Sequence, residues 1–287
     1  MEKIPIRHIV ENQKELGSSE KFTIQNIKDL LAGKSMIQEL HRQDYFYVLA
    51  LKRGKGTHEI DFTSVKVCDN SIFFMHPGQV HQLTLKSGSV GYLMHFKTDF
   101  YFPQNKVSHQ LLRKASNKNF CQLDSTVFNK LFSILANIFQ EYKSKQEGFQ
   151  EIIKANLSIF LIELVRQQRN KKSSSNTVNS YRLERVEEFL ELLENHIAKY
   201  KQVSYYADKL NLTPYQLNAM TKEMLGKTCS ALINEYIILE SRRYLLSTSN
   251  QVNQIAYNLG YEDISYFIRF FKKHTGYTPE AFRRNFR

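Results

Sequence analysis

Residues Val252 to Arg284 read V-N-Q-I-A-Y-N-L-G-Y-E-D-I-S-Y-F-I-R-F-F-K-K-H-T-G-Y-T-P-E-A-F-R-R. Val252, Ile255, Ala256 and Leu259 fall at helical spacing, which predicts a short amphipathic helix. Gly260 ends it, because a residue without a Cβ enters the left-handed conformation freely. Asp263 is placed to cap the next helix through its free amide hydrogens. That helix puts Phe267 and Phe271 on one face and Ser265, Ile268, Arg269 and Lys272 on another. Gly276 stops it, and Thr278-Pro279 opens a last short helix. Two short helices joined by a tight turn make a helix-turn-helix, whose second helix can enter the DNA major groove. The bland alternative is a helical hairpin with no part in DNA binding.

The pattern occurs twice. Val203, Ala207 and Leu210 recur 49 residues later as Val252, Ala256 and Leu259. After one extra residue in the second turn, Leu217, Thr221 and Gly226 recur 50 residues later as Phe267, Phe271 and Gly276. Thr213-Pro214 starts the second helix of the first copy: Thr caps, and Pro at the first helical position loses no useful hydrogen bond. Between the copies, Ala231 to Leu246 reads as one longer connector. Leu232, Tyr236, Leu239 and Leu246 are expected on its buried side, with Arg242 and Arg243 outside. Two such units about one DNA turn apart can enter successive major grooves on one face.

Ile255-Ala256, Gly260-Tyr261, Ser265-Tyr266-Phe267, Arg269, Phe271-Lys272-Lys273, Gly276, Thr278-Pro279 and Phe282-Arg283-Arg284 carry a resemblance. They resemble the second helix-turn-helix of AraC/XylS-family transcription regulators. The resemblance implies base-facing positions at Ile264, Ser265, Ile268 and Arg269, and in the first copy at Tyr215, Asn218 and Ala219. Arg can grip guanine with two hydrogen bonds, Asn can pair with adenine, and Ile or Ala can touch a thymine methyl. Lys222, Lys272, Arg283 and Arg284 are placed as phosphate anchors, which position without specifying. For each residue the competing role is a solvated polar face, and for Arg269 also a structural or phosphate contact. The first copy departs from the family pattern. Thr221 stands where an aromatic is usual and Ala219 where Arg is common, so a weaker first reader is expected.

Upstream, the chain changes character. From Ser35 to Phe100, runs rich in Val, Ile, Phe and Tyr alternate with turn residues: Met36–Leu40, Tyr45–Leu51, Glu59–Phe62, Val65–Val67, Ile72–Met75, Leu83–Leu85 and Tyr92–Phe96. Many short strands at this spacing predict a β-sandwich or barrel. The phrases I-D-F at Ile60–Phe62 and P-G-Q-V-H at Pro77–His81 resemble the cupin-like sensor domain of the same family, a jelly roll that often holds a small effector. His41, His58, His76, His81 and His95 lie in this region without an H-x-H motif, which argues against a cupin metal site. They can be polar residues at strand ends, or line an effector pocket. His41, Tyr47, His81 and Tyr92 combine aromatic surface with hydrogen-bonding tips and are the candidate effector-binding set. Next, Phe128, Leu131, Leu135, Ile138 and Tyr142 form a narrow helical seam, and Ile153, Leu157, Phe160 and Leu164 a second. These either pack on their own domain or join two protomers, as the resembled family does. Asn170 to Ser180 is rich in Ser and Asn and reads as a linker.

The 287 residues suffice for two domains, and 42% hydrophobic with 24% charged residues is the composition of a soluble globular protein. The net charge of +12 suits a polyanionic partner, but the basic excess is spread over the chain and does not locate one. Cys68, Cys121 and Cys229 fit neither a disulfide framework nor a zinc site and suit a reducing cytoplasm. Met1 to Glu20 is too polar for a signal peptide, and no apolar run reaches membrane-helix length.

The expected fold is therefore a cupin-like β-barrel (jelly roll) with helices over residues 1–169, a linker at 170–180, and an all-α domain with two helix-turn-helix units over 181–287. The expected function is a cytoplasmic, sequence-specific transcription regulator of activator type, modulated by a small effector. No catalytic residue, metal or cofactor is expected. The implied partners are double-stranded DNA, RNA polymerase, a small effector and a second copy of the chain joined through helices around 125–169, with no membrane. The rivals are a cupin-type enzyme with a regulatory helical tail and a ligand-free architectural DNA binder.

Overall fold

The computed structural model describes residues 6–7, 21–101, 106–170 and 177–286. The chain divides into two compact units, Pro5–Lys172 and Ser173–Arg287. The first starts with β1 (Ile6–Arg7), β2 (Phe22–Asn26) and α1 (Ile27–Leu31). Seven strands follow, each overlapping one of the predicted runs, although β5 lies earlier than its run Glu59–Phe62: β3 (Met36–Gln43), β4 (Phe46–Arg53), β5 (Gly56–Ile60), β6 (Thr63–Val67), β7 (Ser71–Met75), β8 (Val80–Leu85) and β9 (Val90–Phe96). Then come α2 (Thr98–Tyr101), α3 (Lys106–Ser116), β10 (Phe120–Gln122), α4 (Ser125–Ser144) and α5 (Phe149–Asn170).

The strands form two five-stranded sheets, ordered β1-β3-β8-β5-β6 and β10-β7-β4-β9-β2. Among the described residues no strand is shared between them. Of the sandwich or closed barrel that the strand spacing predicts, the architecture is two separate sheets; β2 and β10, two short strands the sequence reading missed, form the edges of the second sheet. That sheet is covered on both sides. Tyr47, Leu49, Leu51, Phe73 and Met75 pack with Ile60, Leu83 and Leu85 of the facing sheet, while Val48, Ala50, Phe74, Met94 and Phe96 pack under α4 and α5. This double burial is why β4, β7 and β9 read as unbroken apolar runs while β3, buried on one face, alternates. Each fully buried side chain of this size contributes about 1.5–3 kcal/mol.

The two phrases that carried the sensor resemblance meet in space. Asp61 and Phe62 leave the strand and make the turn between β5 and β6, with φ of +47° and +68°. The Asp61 carboxylate accepts hydrogen bonds from Gln79 Nε2 at 2.6 Å and from the Val80 amide at 3.3 Å. Gln79 Oε1 in turn accepts from the His76 amide. Their polar side chains hold a hairpin against the start of β8.

Both predicted helical seams turn inward. Phe128, Leu131, Leu135 and Ile138 of α4 and Ile153, Leu157, Phe160 and Leu164 of α5 are buried in their own unit. These residues are consumed by packing of the helix pair on the second sheet. A partner cannot be joined through them.

The second unit is helical: α6 (Thr177–His196), α7 (Val203–Lys209), α8 (Pro214–Leu225), α9 (Cys229–Ser247), α10 (Val252–Asn258), α11 (Ile264–Thr275) and α12 (Pro279–Phe286). The expected linker is shortened, since α5 reaches Asn170 and α6 starts at Thr177; what lies between falls outside the described residues. The connector α9 differs from expectation. Its buried residues include Ile233, Ile237, Ile238, Ser241, Arg243 and Leu245, so its arginines are not outside. Arg243 pairs with Glu240, and the Arg242 guanidinium lies 5.6 Å over the Phe282 ring. Helices α6, α8, α10, α11 and α12 all pack on α9, which leaves it no broad free face.

Candidate nucleic-acid interface

The two helix-turn-helix copies are built by the same hydrogen bonds. In the first, Leu212 N donates to Ala207 O at 2.9 Å and Asn211 N to Asp208 O at 3.1 Å. In the second, Tyr261 N donates to Ala256 O at 2.9 Å and Gly260 N to Tyr257 O at 2.8 Å. This pair of bonds, closing six and four residues around one left-handed residue, is the Schellman ending of a helix. Thr213 caps α8 through a reciprocal capping box with Gln216, and Asp263 caps α11 by accepting from the Ser265 and Tyr266 amides. Gly226 and Gly276 end the two recognition helices.

The burial pattern of the recognition helices repeats at an offset of 50. Leu217 and Thr221 match Phe267 and Phe271 as buried residues; Tyr215, Ala219 and Lys222 match Ser265, Arg269 and Lys272 as exposed ones. Tyr215 is 83% exposed, a large aromatic held in solvent. Ile264 and Ile268 are half-buried at the edge of the exposed face. Arg269 is exposed, with Asp263 4.0 Å away. Lys222, Lys272 and Arg284 are exposed. Tyr266 and Lys273 belong to the same exposed surface of α11 and were missed, although they continue the helical spacing.

Two predicted residues have internal partners instead. Asn218 Oδ1 accepts from the Cys229 amide at 2.9 Å and so satisfies the start of α9. Arg283 donates from Nε to Leu245 O at 2.9 Å and from its guanidinium to Asn250 O at 2.6 Å, holding the end of α9 and the loop beyond it. Both side chains are committed to carbonyl or amide groups of the protein.

The second predicted site lies in the first unit. A cavity of about 180 Å³ is lined by Gln25, Gln38, His41, Tyr45, Tyr47 and His95, with Thr23, Leu30, Met36 and Leu93. His41 and Tyr47 thus line it. His81 lies behind them, its ring 4.2 Å from that of His41 and 5.0 Å from that of Tyr47, hydrogen-bonded to His58 at 2.9 Å. Tyr92 is on the opposite face of β9, against Phe132 and Phe139 of α4, because successive strand residues point to opposite faces. The same alternation brings in His95, which is paired across the sheet with Tyr47. Burial, with His41 as a second cause, holds the imidazoles of His58 and His95 down to about 3. His95 is therefore neutral throughout the physiological range. His95 Nε2 and Gln38 Oε1 are buried and have no hydrogen-bond partner among the described residues. Among those residues, no three His, Cys, Asp or Glu side chains are grouped to hold a metal ion.

Comparison with known proteins bears on the helical unit first. The family model described as "Helix-turn-helix domain" matches residues 206–285, which contain both recognition helices. The chain is 23% identical over 248 residues to the HTH-type transcriptional activator RhaS of Pectobacterium carotovorum, covering 85% of this chain and 86% of that one. The helical unit is thus similar to the DNA-binding domains of AraC/XylS-family transcription regulators. The Xylose operon regulatory protein of Escherichia coli is 31% identical over 91 residues, or 32% of the regulator and 23% of that protein. A solved structure of ToxT from Vibrio cholerae aligns over 92% of the regulator and 98% of that chain, with 16% identity and a TM-score of 0.45. The chain departs from that family's pattern in the first copy, and the fold accommodates the departure. Thr221 is fully buried, and its hydroxyl lies 3.1 Å from Asn218 O and 3.4 Å from Cys229 Sγ.

Proposed function

We propose that this regulator binds double-stranded DNA through both recognition helices and activates transcription with RNA polymerase as its partner. The observation that carries the reading is the repeated exposed face: Tyr215, Ala219 and Lys222 on α8, and Ser265, Arg269 and Lys272 on α11. Arg269 reads a guanine, Ser265 and the edges of Ile264 and Ile268 read neighbours, and Lys222, Lys272 and Arg284 anchor phosphates. The relatives named as activators support the direction of control. Among the described residues no helix is long and apolar enough to cross a membrane, which is compatible with a cytoplasmic place of action. Selection from a random pool of duplex DNA tests the function. A recurring motif supports it, and recovery no better than random, as an architectural binder would give, overturns it.

The two-sheet unit serves as a cupin-like sensor in this reading. Its cavity carries amides, phenols and imidazoles, and no Lys, Arg, Asp or Glu lines it. It is smaller than the roughly 300–1,000 Å³ typical of drug-sized sites. A small, neutral, hydrogen-bonding effector fits this chemistry, with His95 Nε2 and Gln38 Oε1 as its waiting partners. An effector acts only if it prefers one functional state. The test is a thermal-shift screen of neutral and anionic metabolites, followed by DNA affinity with each hit. Hits confined to anions would contradict the pocket chemistry.

Dimerisation, on this reading, uses the outer side of α5. Ile152, Ala155, Ile159 and Ile162 are exposed and step by three, four and three. Sedimentation of Ile159→Asp against the parent chain checks this, with a shift towards monomer expected.

A further inference from the structure

The second helix-turn-helix is tied to the first by more than α9. The turn between α6 and α7 reaches across to the turn between α10 and α11. Lys201 Nζ donates to Gly260 O at 2.8 Å and stands 4.7 Å from the centroid of the Tyr261 ring. The backbones are equally close: a Cβ at residue 260 would lie 1.7 Å from Ala198 O. Gly260 is required twice over, by this approach and by its φ of +70°. Burial lowers the Lys201 pKa from the ordinary lysine value. An ammonium taken partly out of water is tolerated where a carbonyl and an aromatic face replace the lost solvent.

Each side of this contact leads to a recognition helix. The Tyr261 ring lies 5.2 Å from that of Phe267 and 5.9 Å from that of Phe270, both on α11. On the other side, the Tyr206 hydroxyl of α7 donates to Tyr200 O at 2.6 Å, beside Lys201, and α7 packs on α8. At the equivalent turn of the first copy, Asn211 is exposed with φ +54°, a left-handed position an asparagine tolerates. The glycine is needed where the other copy docks.

We propose that Lys201 and Gly260 form a clasp that fixes the placement of α8 relative to α11, and so sets the spacing between the two DNA tracts the regulator accepts. This rests on the reading that both helices contact DNA. Lys201 is a positioning residue in this account, and its ammonium is turned to a carbonyl of the protein.

The test uses the full chain, with a selected duplex and versions in which one or two base pairs are added or removed between the tracts. The parent chain is expected to lose about tenfold or more in affinity on each misspaced duplex. Lys201→Met keeps the aliphatic stem and removes the donor; its penalty for misspacing is expected to shrink to about threefold or less. Its affinity for a duplex with one tract scrambled, and its salt slope, should match the parent. Lys201→Arg, which retains a charged donor, should restore the parent profile. A Lys201→Met profile identical to the parent's would show that α9 alone sets the spacing and overturn the clasp. So would a salt slope reduced by about one, which marks a phosphate contact. Distance distributions between labels carried by noncanonical residues at positions 219 and 269 provide a DNA-free readout. They should broaden in Lys201→Met, and an unchanged distribution in the folded variant overturns the proposal. A parent chain that recognises one tract only is a separate result: the two-reader account fails and the clasp with it.

Discussion

In the first helix-turn-helix the left-handed turn residue is Asn211, the inner side of the recognition helix carries Leu217 and Thr221, and the exposed centre is Ala219. In the second, the same places hold Gly260, Phe267 with Phe271, and Arg269. The backbones nevertheless end their first helices with the same two hydrogen bonds and bury the same positions. A helix-turn-helix is thus specified by turn and cap geometry, and its core chemistry can vary. Around Phe271 the packing is aromatic, with the Phe282 ring 5.5 Å away. Around Thr221 it is polar, with Asn218 capping α9 and the threonine hydroxyl beside Cys229. The copy with the aromatic core also carries the arginine.

The difference predicts unequal responses to matched substitutions. Phe271→Ala should have the largest effect, about 3–5 kcal/mol of lost stability, because a large buried ring leaves a cavity. Thr221→Ala should cost only about 1 kcal/mol, the scale of a hydrogen-bonded hydroxyl. Chemical denaturation of the two variants compares them, and equal losses would break the distinction between an aromatic and a polar core. Thr221→Phe sharpens it further. With Cys229 Sγ 3.4 Å from the threonine oxygen, a phenyl ring must displace its neighbours, so about 1–3 kcal/mol of destabilisation is expected. A gain in melting temperature would mean that the first copy holds unused space.

Both copies and the strand runs were legible in the sequence because periodicity records which face is buried. The faces of individual polar residues were harder. Side-chain chemistry alone groups Tyr92 with Tyr47, although strand alternation sends it to the α4 side of its sheet; only the register of β4 against β9 fixes that parity. The family resemblance places Asn218 at a base-facing position and Arg283 at a phosphate anchor. Their partners, the Cys229 amide and the carbonyls of Leu245 and Asn250, lie 11 to 38 positions away, and helical spacing carries no record of them. The α4 and α5 seams were visible, but a seam does not state what covers it. The connector α9 lost its expected outer face because several helices pack on it.

Smaller effects separate reading from folding. Arg269→Ala should weaken binding to a selected duplex by roughly 1–3 kcal/mol and relax preference at one base pair, with melting unchanged. Asn218→Ala should do the reverse. It should lower stability by about 1 kcal/mol through the lost cap of α9 and leave the base preferences of the folded protein as they were. If Asn218→Ala changes specificity at one position while stability holds, the asparagine reads DNA and its bond to Cys229 is secondary.

On the proposed function, two structurally equivalent copies contact DNA together and read it unequally. Selection of the full chain against random duplex DNA, repeated with Arg269→Ala, measures this most directly. Two tracts centred about 10 base pairs apart are expected, one richer in sequence information than the other, with the richer tract degraded in the Arg269→Ala selection. A single tract, or two tracts of equal information that Arg269→Ala leaves intact, would contradict it.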